Sequence, residues 1–269
     1  MLGAIIGDIC GSVYEFNNRK EHDPTEIVLT ESSNRDQSFQ FTDDSVLTFA
    51  TADAMLHKRP YAEAYKEWGR RYGHAGYGGT FVRWLQSDSL EPYNSWGNGS
   101  AMRVSPVGWV FDTLEETLAE AKCSAEVTHD HPEGIKGAQS VAAAIFLART
   151  GKSKQEIKEY VETTFGDDFG GYDLNRTTDQ IRPDYTFDVS CMGSVPEAII
   201  CFLESNDYAH AIQLAISIGG DTDTIACITG GIAEAFYREI PDELVQFAYA
   251  RLTGEMKEII TAFREKFRP

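Results

Sequence analysis

Gly219-Gly220-Asp221-Thr222-Asp223-Thr224 sets two carboxylates and two hydroxyls directly ahead of Ile225-Ala226-Cys227-Ile228-Thr229-Gly230-Gly231-Ile232-Ala233, an apolar run that reads as helix. A second segment, Phe41-Thr42-Asp43-Asp44-Ser45, stands in the same way ahead of Val46, Leu47, Phe49, Ala50, Ala54 and Met55. Helix capping is the bland explanation, since one Ser, Thr or Asp oxygen satisfies an orphan amide and suits the helix dipole. Capping needs one such residue per helix, and here oxygen-bearing residues come in runs, twice. Hard cations account for the runs, because Mg²⁺ and Mn²⁺ take oxygen ligands in octahedral geometry. Two ions need about a dozen ligand positions. Thr42, Asp43, Asp44, Asp221, Asp223 and Thr224 can fill about half, with water and substrate supplying the rest. Four converging carboxylates would otherwise repel one another strongly.

Outward from these motifs, most of the chain reads as helix. Apolar spacing predicts helices over residues 45–57, 114–127, 137–149, 154–163, 195–204, 208–217, 224–237 and 242–267. Pro196 is expected in a first turn, and Pro241-Asp242 opens the last long stretch. Residues 26–30 are the one plausible early strand. Residues 17–40, 73–103 and 166–193 read as irregular, and loops of that length usually carry function. The helices are rich in small residues, which allows close packing around a central site. With no repeat and no break in composition, one domain over 1–269 is expected.

With 24 Lys+Arg against 42 Asp+Glu, the net charge is −18. So acidic a surface repels nucleic acid and anionic lipid, so neither is an expected partner. No apolar run is long enough to span a bilayer. The start, Met1-Leu2-Gly3-Ala4-Ile5-Ile6-Gly7-Asp8, has no basic region and is not expected to be a signal peptide. Cys10, Cys123, Cys191, Cys201 and Cys227 show no CxxC spacing, and with mostly apolar neighbours they are expected to be buried, reduced thiols in a cytoplasmic protein. A monomer is the default expectation.

Three further segments carry candidate chemistry. In Gly7-Asp8-Ile9-Cys10-Gly11-Ser12-Val13-Tyr14-Glu15-Phe16, Asp8 and Glu15 are seven apart and would share a helical face. Glu15, set between aromatics, is the candidate acid or base, because burial there would raise its pKa. Asn94-Ser95-Trp96-Gly97-Asn98-Gly99-Ser100-Ala101-Met102-Arg103 reads either as a tight turn or as a loop cradling a diphosphate, with Trp96 against a flat ring. Gly76 and Gly78, in Ala75-Gly76-Tyr77-Gly78-Gly79, could do related work. In Thr128-His129-Asp130-His131-Pro132 the histidines are too close to project together as metal ligands from a helix. His129 is expected to meet a ligand and His131 to sit at a helix start.

These pieces, in this order and spanning residues 3 to about 237, resemble the ADP-ribosylglycohydrolase family, which includes the dinitrogenase-reductase-activating glycohydrolase and the ADP-ribosyl-acceptor hydrolases. The resemblance implies an all-α fold, a compact multi-helix orthogonal bundle with a central binuclear metal cleft. It implies two divalent ions, Mg²⁺ or Mn²⁺, held by Thr42, Asp43, Asp44, Asp221, Asp223 and Thr224. It places Ser95, Trp96, Asn98 and His129 along ADP-ribose. With Gly76, Gly78, Gly97, Gly99, Met102 and Arg103 they form the expected substrate-binding set. Glu15, following Gly11-Ser12-Val13-Tyr14, is most similar to the glutamate of the branch that cleaves O-linked serine adducts. Glu15, Asp43 and Asp44 are the expected catalytic groups, and ADP-ribose or an ADP-ribosylated protein is the expected partner. Ser45, where relatives often carry an aliphatic residue or threonine, is expected to matter little. Trp96 stands where some relatives carry tyrosine. Two rival readings remain: a Mg²⁺-dependent diphosphate or nucleotide hydrolase, and a non-catalytic ADP-ribose-binding or structural relative.

Overall fold

The computed structural model describes residues 1–18, 20–30, 38–166 and 171–267. Residues 31–37 and 167–170, within two segments expected to be irregular, lie outside them. The helices are α1 (Leu2–Gly11), α2 (Asp43–His57), α3 (Tyr61–Arg71), α4 (Gly79–Gln86), α5 (Gly99–Met102), α6 (Val107–Val110), α7 (Leu114–Glu126) and α8 (Pro132–Arg149). They continue as α9 (Lys154–Phe165), α10 (Thr178–Ile181), α11 (Cys191–Glu204), α12 (Tyr208–Ser217), α13 (Thr222–Tyr237), α14 (Asp242–Tyr249) and α15 (Gly254–Lys266). The fold is all-α. Among the described residues no strand forms, and the one isolated bridge joins Gly97 to Ser190.

The core is built around α13. Every residue from Thr222 to Ala233 is buried, and α1, α2, α5, α8, α11 and α12 all pack against this helix. Helix α1 is buried along its whole length. Gly3, Gly7 and Gly11 fall four residues apart and so form one stripe along it. They meet Gly230, Ala226 and Thr222 of α13: a Cβ on Gly7 would overlap the Ala226 carbonyl, and one on Gly11 the Thr222 carbonyl. The two backbones touch, and this contact brings the acidic end of α1 beside the acidic start of α13.

Several expectations change. Residues 26–30 are not a strand: Pro24–Glu26 forms a 3₁₀ turn capped by Asp23. The carbonyls that follow are taken by side chains, Ile27 by Gln213 Nε2 (3.2 Å) and Val28 by the Tyr14 hydroxyl (2.7 Å). Helix α11 starts early, capped by Ser190, so Pro196 lies in its interior and not in its first turn. The stretch 242–267 breaks into α14 and α15, because Thr253 caps a new helix by accepting from the Met256 amide. Helices α4, α5 and α10 occupy parts of segments expected to be irregular, and α1 and α3 go beyond the helices predicted. Cys10, Cys191, Cys201 and Cys227 are buried free thiols, whereas Cys123 is exposed. Among the described residues no helix is long and apolar enough to cross a membrane.

Candidate metal centre and cleft

The starts of α2 and α13 meet. The Thr224 hydroxyl lies 3.3 Å from Asp44 Oδ2, and the Thr42 hydroxyl lies at the same distance from that oxygen. Capping accounts for only part of the motifs. Thr42 caps α2 by accepting from the Asp44 amide, but Asp221, at the N-cap of α13, makes no side-chain cap bond. Its Oδ2 accepts from Asn98 Nδ2 at 2.7 Å instead. The left-handed Gly219 and Gly220 (φ 76° and 77°) form the turn that delivers Asp221 to this position.

Two groups of carboxylate oxygens gather, Asp8 with Asp44 and Asp223, and Glu15 with Asp221 and Asp223, each within 4.8 Å. Burial, then the charge of Asp223, holds the Asp43 and Asp44 carboxyls well above the ordinary range. Burial, then the charge of Asp221, does the same to Asp223. Burial pushes Asp221 up to about 6. Burial, then Asp223, pushes Glu15 up to about 8. The strongest neighbouring charges on Asp44 are all carboxylates: Asp223, Asp8, Asp43 and Asp221. Asp44 Oδ1 is buried with no hydrogen-bond partner. Such an orphaned acceptor among uncompensated acids fits a hard divalent cation.

Asp8, outside the expected site, is a buried brace. Its Oδ1 accepts from the Thr42 hydroxyl (2.7 Å), and its Oδ2 accepts from the amides of Thr42 (3.0 Å) and Ser45 (3.1 Å) and from the Ser45 hydroxyl. Four donors occupy this carboxylate, so we assign it to holding the first turn of α2 and not to an ion. Ser45 therefore matters more than expected. The Asp8–Glu15 pairing on one helical face is also corrected. Helix α1 ends at Gly11, and a 3₁₀ turn over Glu15–Asn17 swings Glu15 back towards Asp223.

The centre forms one wall of a cleft of about 460 Å³. Of the expected residues, Glu15, Asp43, Asp44, Gly76, Gly78, Ser95, Gly97, Asn98, Gly99, Met102, Arg103, His129, Asp221, Asp223 and Thr224 line it. Trp96 does not: it lies outside the lining and is 48% exposed. Two amides expected to cradle phosphate are already engaged, Gly97 N–H with Ser95 Oγ (3.1 Å) and Asn98 N–H with the Val189 carbonyl (2.7 Å). Phe16 and Phe187 stack at 6.4 Å on the cleft wall and offer the flat apolar surface assigned from sequence to Trp96.

Arg103 is fully buried over the Tyr65 ring, 4.0 Å from its centroid. Its Nη2 donates to Thr128 Oγ1 at 2.8 Å, and that oxygen lies 2.8 Å from His129 Nδ1. Thr128 Oγ1 can accept from Arg103 and still donate to Nδ1, and in that arrangement the hydrogen of His129 sits on Nε2. Nε2 faces Gly99, where a Cβ would come within 3.1 Å of it. Burial, then Arg103, holds the imidazole pKa well below its ordinary value, so His129 is a neutral imidazole at the cleft. His131 caps α8, as expected.

The family model for ADP-ribosylglycohydrolases matches residues 1–267. The chain belongs to the ADP-ribosylglycohydrolase family. ADP-ribosylhydrolase ARH3 of Homo sapiens is 28% identical, with 88% of this chain and 84% of that protein aligned. ADP-ribosylarginine hydrolase Tri1 of Pseudomonas putida (strain GB-1) is 26% identical over 88% of this chain and 69% of its own length. A solved structure titled ADP-ribosylglycohydrolase-related protein complex has the same fold, with a TM-score of 0.71 at 21% identity over 98% of this chain and 96% of that one. In this member of the ADP-ribosylglycohydrolase family the carboxylate cluster and the cleft lie side by side.

Proposed function

We propose that the chain, acting over 1–269 as one domain, is a metal-dependent hydrolase. It cleaves the glycosidic bond between ADP-ribose and an acceptor, either a protein side chain or a small molecule. The observation that carries this reading is the meeting of Asp44, Asp223, Asp221 and Glu15 on the wall of a cleft that also presents the 97–99 turn and His129. Thr42, Asp43, Asp44, Asp221, Asp223 and Thr224 would hold two divalent ions, Mg²⁺ or Mn²⁺. When bound, these ions supply positive charge that balances the carboxylates and polarises sugar oxygens.

The chain's own groups do the rest. Phe16 and Phe187 offer a flat face to a ring, and His129 Nε2–H donates to an oxygen of the diphosphate or ribose. The bond from the ribose C1 to its O or N partner breaks through an oxocarbenium-like state. Glu15, half-buried at the junction of the cleft and the cluster, delivers a proton to the departing atom. Asp43, at the cleft and less buried than Asp44, accepts a proton from the water that adds to C1. Water is consumed, and free ADP-ribose and the unmodified acceptor leave.

The test is an assay with arginine-, serine- and acetyl-linked ADP-ribose and with nucleoside diphosphates, each with Mg²⁺, with Mn²⁺ and with a chelator. Cation-dependent release of ADP-ribose from at least one linkage is expected, with serine first because of the Gly11-Ser12-Val13-Tyr14-Glu15 sequence. Turnover of nucleoside diphosphates alone, or tight ADP-ribose binding without turnover in either metal, overturns the reading.

A further inference from the structure

Beyond Glu15 and Phe16 lies a second cavity, of about 450 Å³. It shares Glu15, Phe16, Asp43, Gly76 and Asp223 with the first cleft, so the two spaces meet at the candidate centre. Its outer wall is the end of α3 and the turn after it, from Arg71 to Ala75. This wall is anchored. Arg71 pairs with Glu67 (2.6 Å) and with Glu255 of α15, and the Tyr72 hydroxyl lies 3.1 Å from Thr253 Oγ1. The Asp43 amide donates to the Ala75 carbonyl at 2.8 Å, which ties the wall to the acidic motif.

We propose that this cavity is the acceptor side of the site and receives the polypeptide segment that carries the modified side chain, while the ADP-ribosyl half fills the first cleft. The assignment rests on the hydrolase reading above. A glycosidic bond cut at the centre has a substituent on each side, and there is a space on each side. Volumes of about 300–1,000 Å³ hold drug-sized ligands, so the second space accommodates several residues and not one side chain alone. An extended chain presents an N–H and a C=O at every residue. Gln40, whose side-chain amide both donates and accepts, and His74 are exposed residues lining this cavity and can meet them. Gly73 leaves room for a passing backbone.

Gly73→Trp tests this, because Gly73 lines the cavity, a Cβ there meets nothing nearer than 3.6 Å and its φ is not left-handed, so a bulky side chain is added at the cavity without strain at its root. His74→Ala is the second variant. Both are compared with wild type on an ADP-ribosylated peptide and on ADP-ribose joined to a small leaving group with no peptide, such as an acetyl ester. For Gly73→Trp the expected result is a KM for the peptide raised about tenfold or more, with kcat/KM for the small substrate within about twofold of wild type. His74→Ala should move in the same direction by a smaller factor. Equal losses on both substrates, or no change with the peptide, overturn the proposal while leaving the hydrolase reading intact. A wild-type protein that hydrolyses neither substrate overturns the hydrolase reading and this assignment with it.

Discussion

The Thr224 hydroxyl sits 3.3 Å from Asp44 Oδ2, joining two residues 180 positions apart in sequence. Neither helix start builds the centre alone. Each supplies half of the proposed ligand set, and the halves meet because α13 runs through the core with α1 and α2 packed against it.

Removing a carboxylate at this junction should abolish turnover and relieve repulsion. Asp44→Asn and Asp223→Asn are each expected to lower kcat by at least about 100-fold, since bound cations supply several kcal/mol of transition-state charge stabilisation. In chelator, each variant should melt above chelator-treated wild type, because one uncompensated buried acid is gone. ADP-ribose release and thermal melts read the two effects. Full activity in either variant contradicts the assigned ligand set.

Chelator-treated protein should lose stability as pH rises. Glu15 is raised from 4.5 to about 8 and Asp221 from 3.8 to about 6, in both cases first by burial. Both groups therefore hold protons in the folded state that the unfolded chain has already released. The stabilisation is fully present below about pH 4 and fades as pH passes through about 6 for Asp221 and about 8 for Glu15. Tm should fall steadily between pH 5 and pH 8. Saturating Mg²⁺ or Mn²⁺ should flatten the profile. A Tm that climbs over this range in chelator contradicts the cause given for these shifts.

Asp8 and Ser45 should behave as one unit. Asp8→Asn removes a charged acceptor of four hydrogen bonds and is expected to cost about 3 kcal/mol in denaturant unfolding. Ser45→Ala loses one of those bonds and should cost less. Both should weaken activity by about 10–100-fold, as changes to groups that orient metal ligands do. In the double variant the costs should fall short of their sum. Strict additivity contradicts the brace.

Thr128→Val should impair His129 without touching the ligand. Calorimetry is expected to show ADP-ribose affinity falling about tenfold, equivalent to about 1.4 kcal/mol. Ring ¹⁵N shifts should show the Nε2–H form of His129 in wild type and a mixture in the variant. Wild type with its hydrogen on Nδ1 reverses the assignment.

Gly7→Ala probes the crossing of α1 and α13. The added methyl meets the Ala226 carbonyl, which is backbone and cannot turn aside. A loss of about 1–3 kcal/mol or more is expected from overpacking, with activity falling alongside stability as Asp8 and Glu15 move away from Asp223. Unchanged stability contradicts this packing.

Much of the centre was legible because its residues are adjacent in sequence. Thr42-Asp43-Asp44 and Asp221-Thr222-Asp223-Thr224 announce themselves as runs of oxygen ligands whatever the chain does elsewhere. Local composition says nothing about which way a turn faces: Ser95 and Val189 hold the turn so that the Trp96 indole stays outside the cleft lining. Phe187 gave no signal, being one phenylalanine in a segment without periodicity. Arg103 lines the cleft, but its packing on Tyr65 and its bond to Thr128 carry no local signal, because those partners lie far off in sequence.

The sequence by itself determined the helical class and the two oxygen-rich acidic helix starts, since these follow from the order and spacing of neighbouring residues. Only the tertiary structure decided that Asp8 braces α2, that Glu15 turns back to Asp223, and that two cavities meet at the centre. Those outcomes depend on distances across the core, set by how closely α1 and α13 approach through Gly3, Gly7 and Gly11. Local periodicity places a side chain on a helix face, but which groups share a buried space is fixed only when the helices pack.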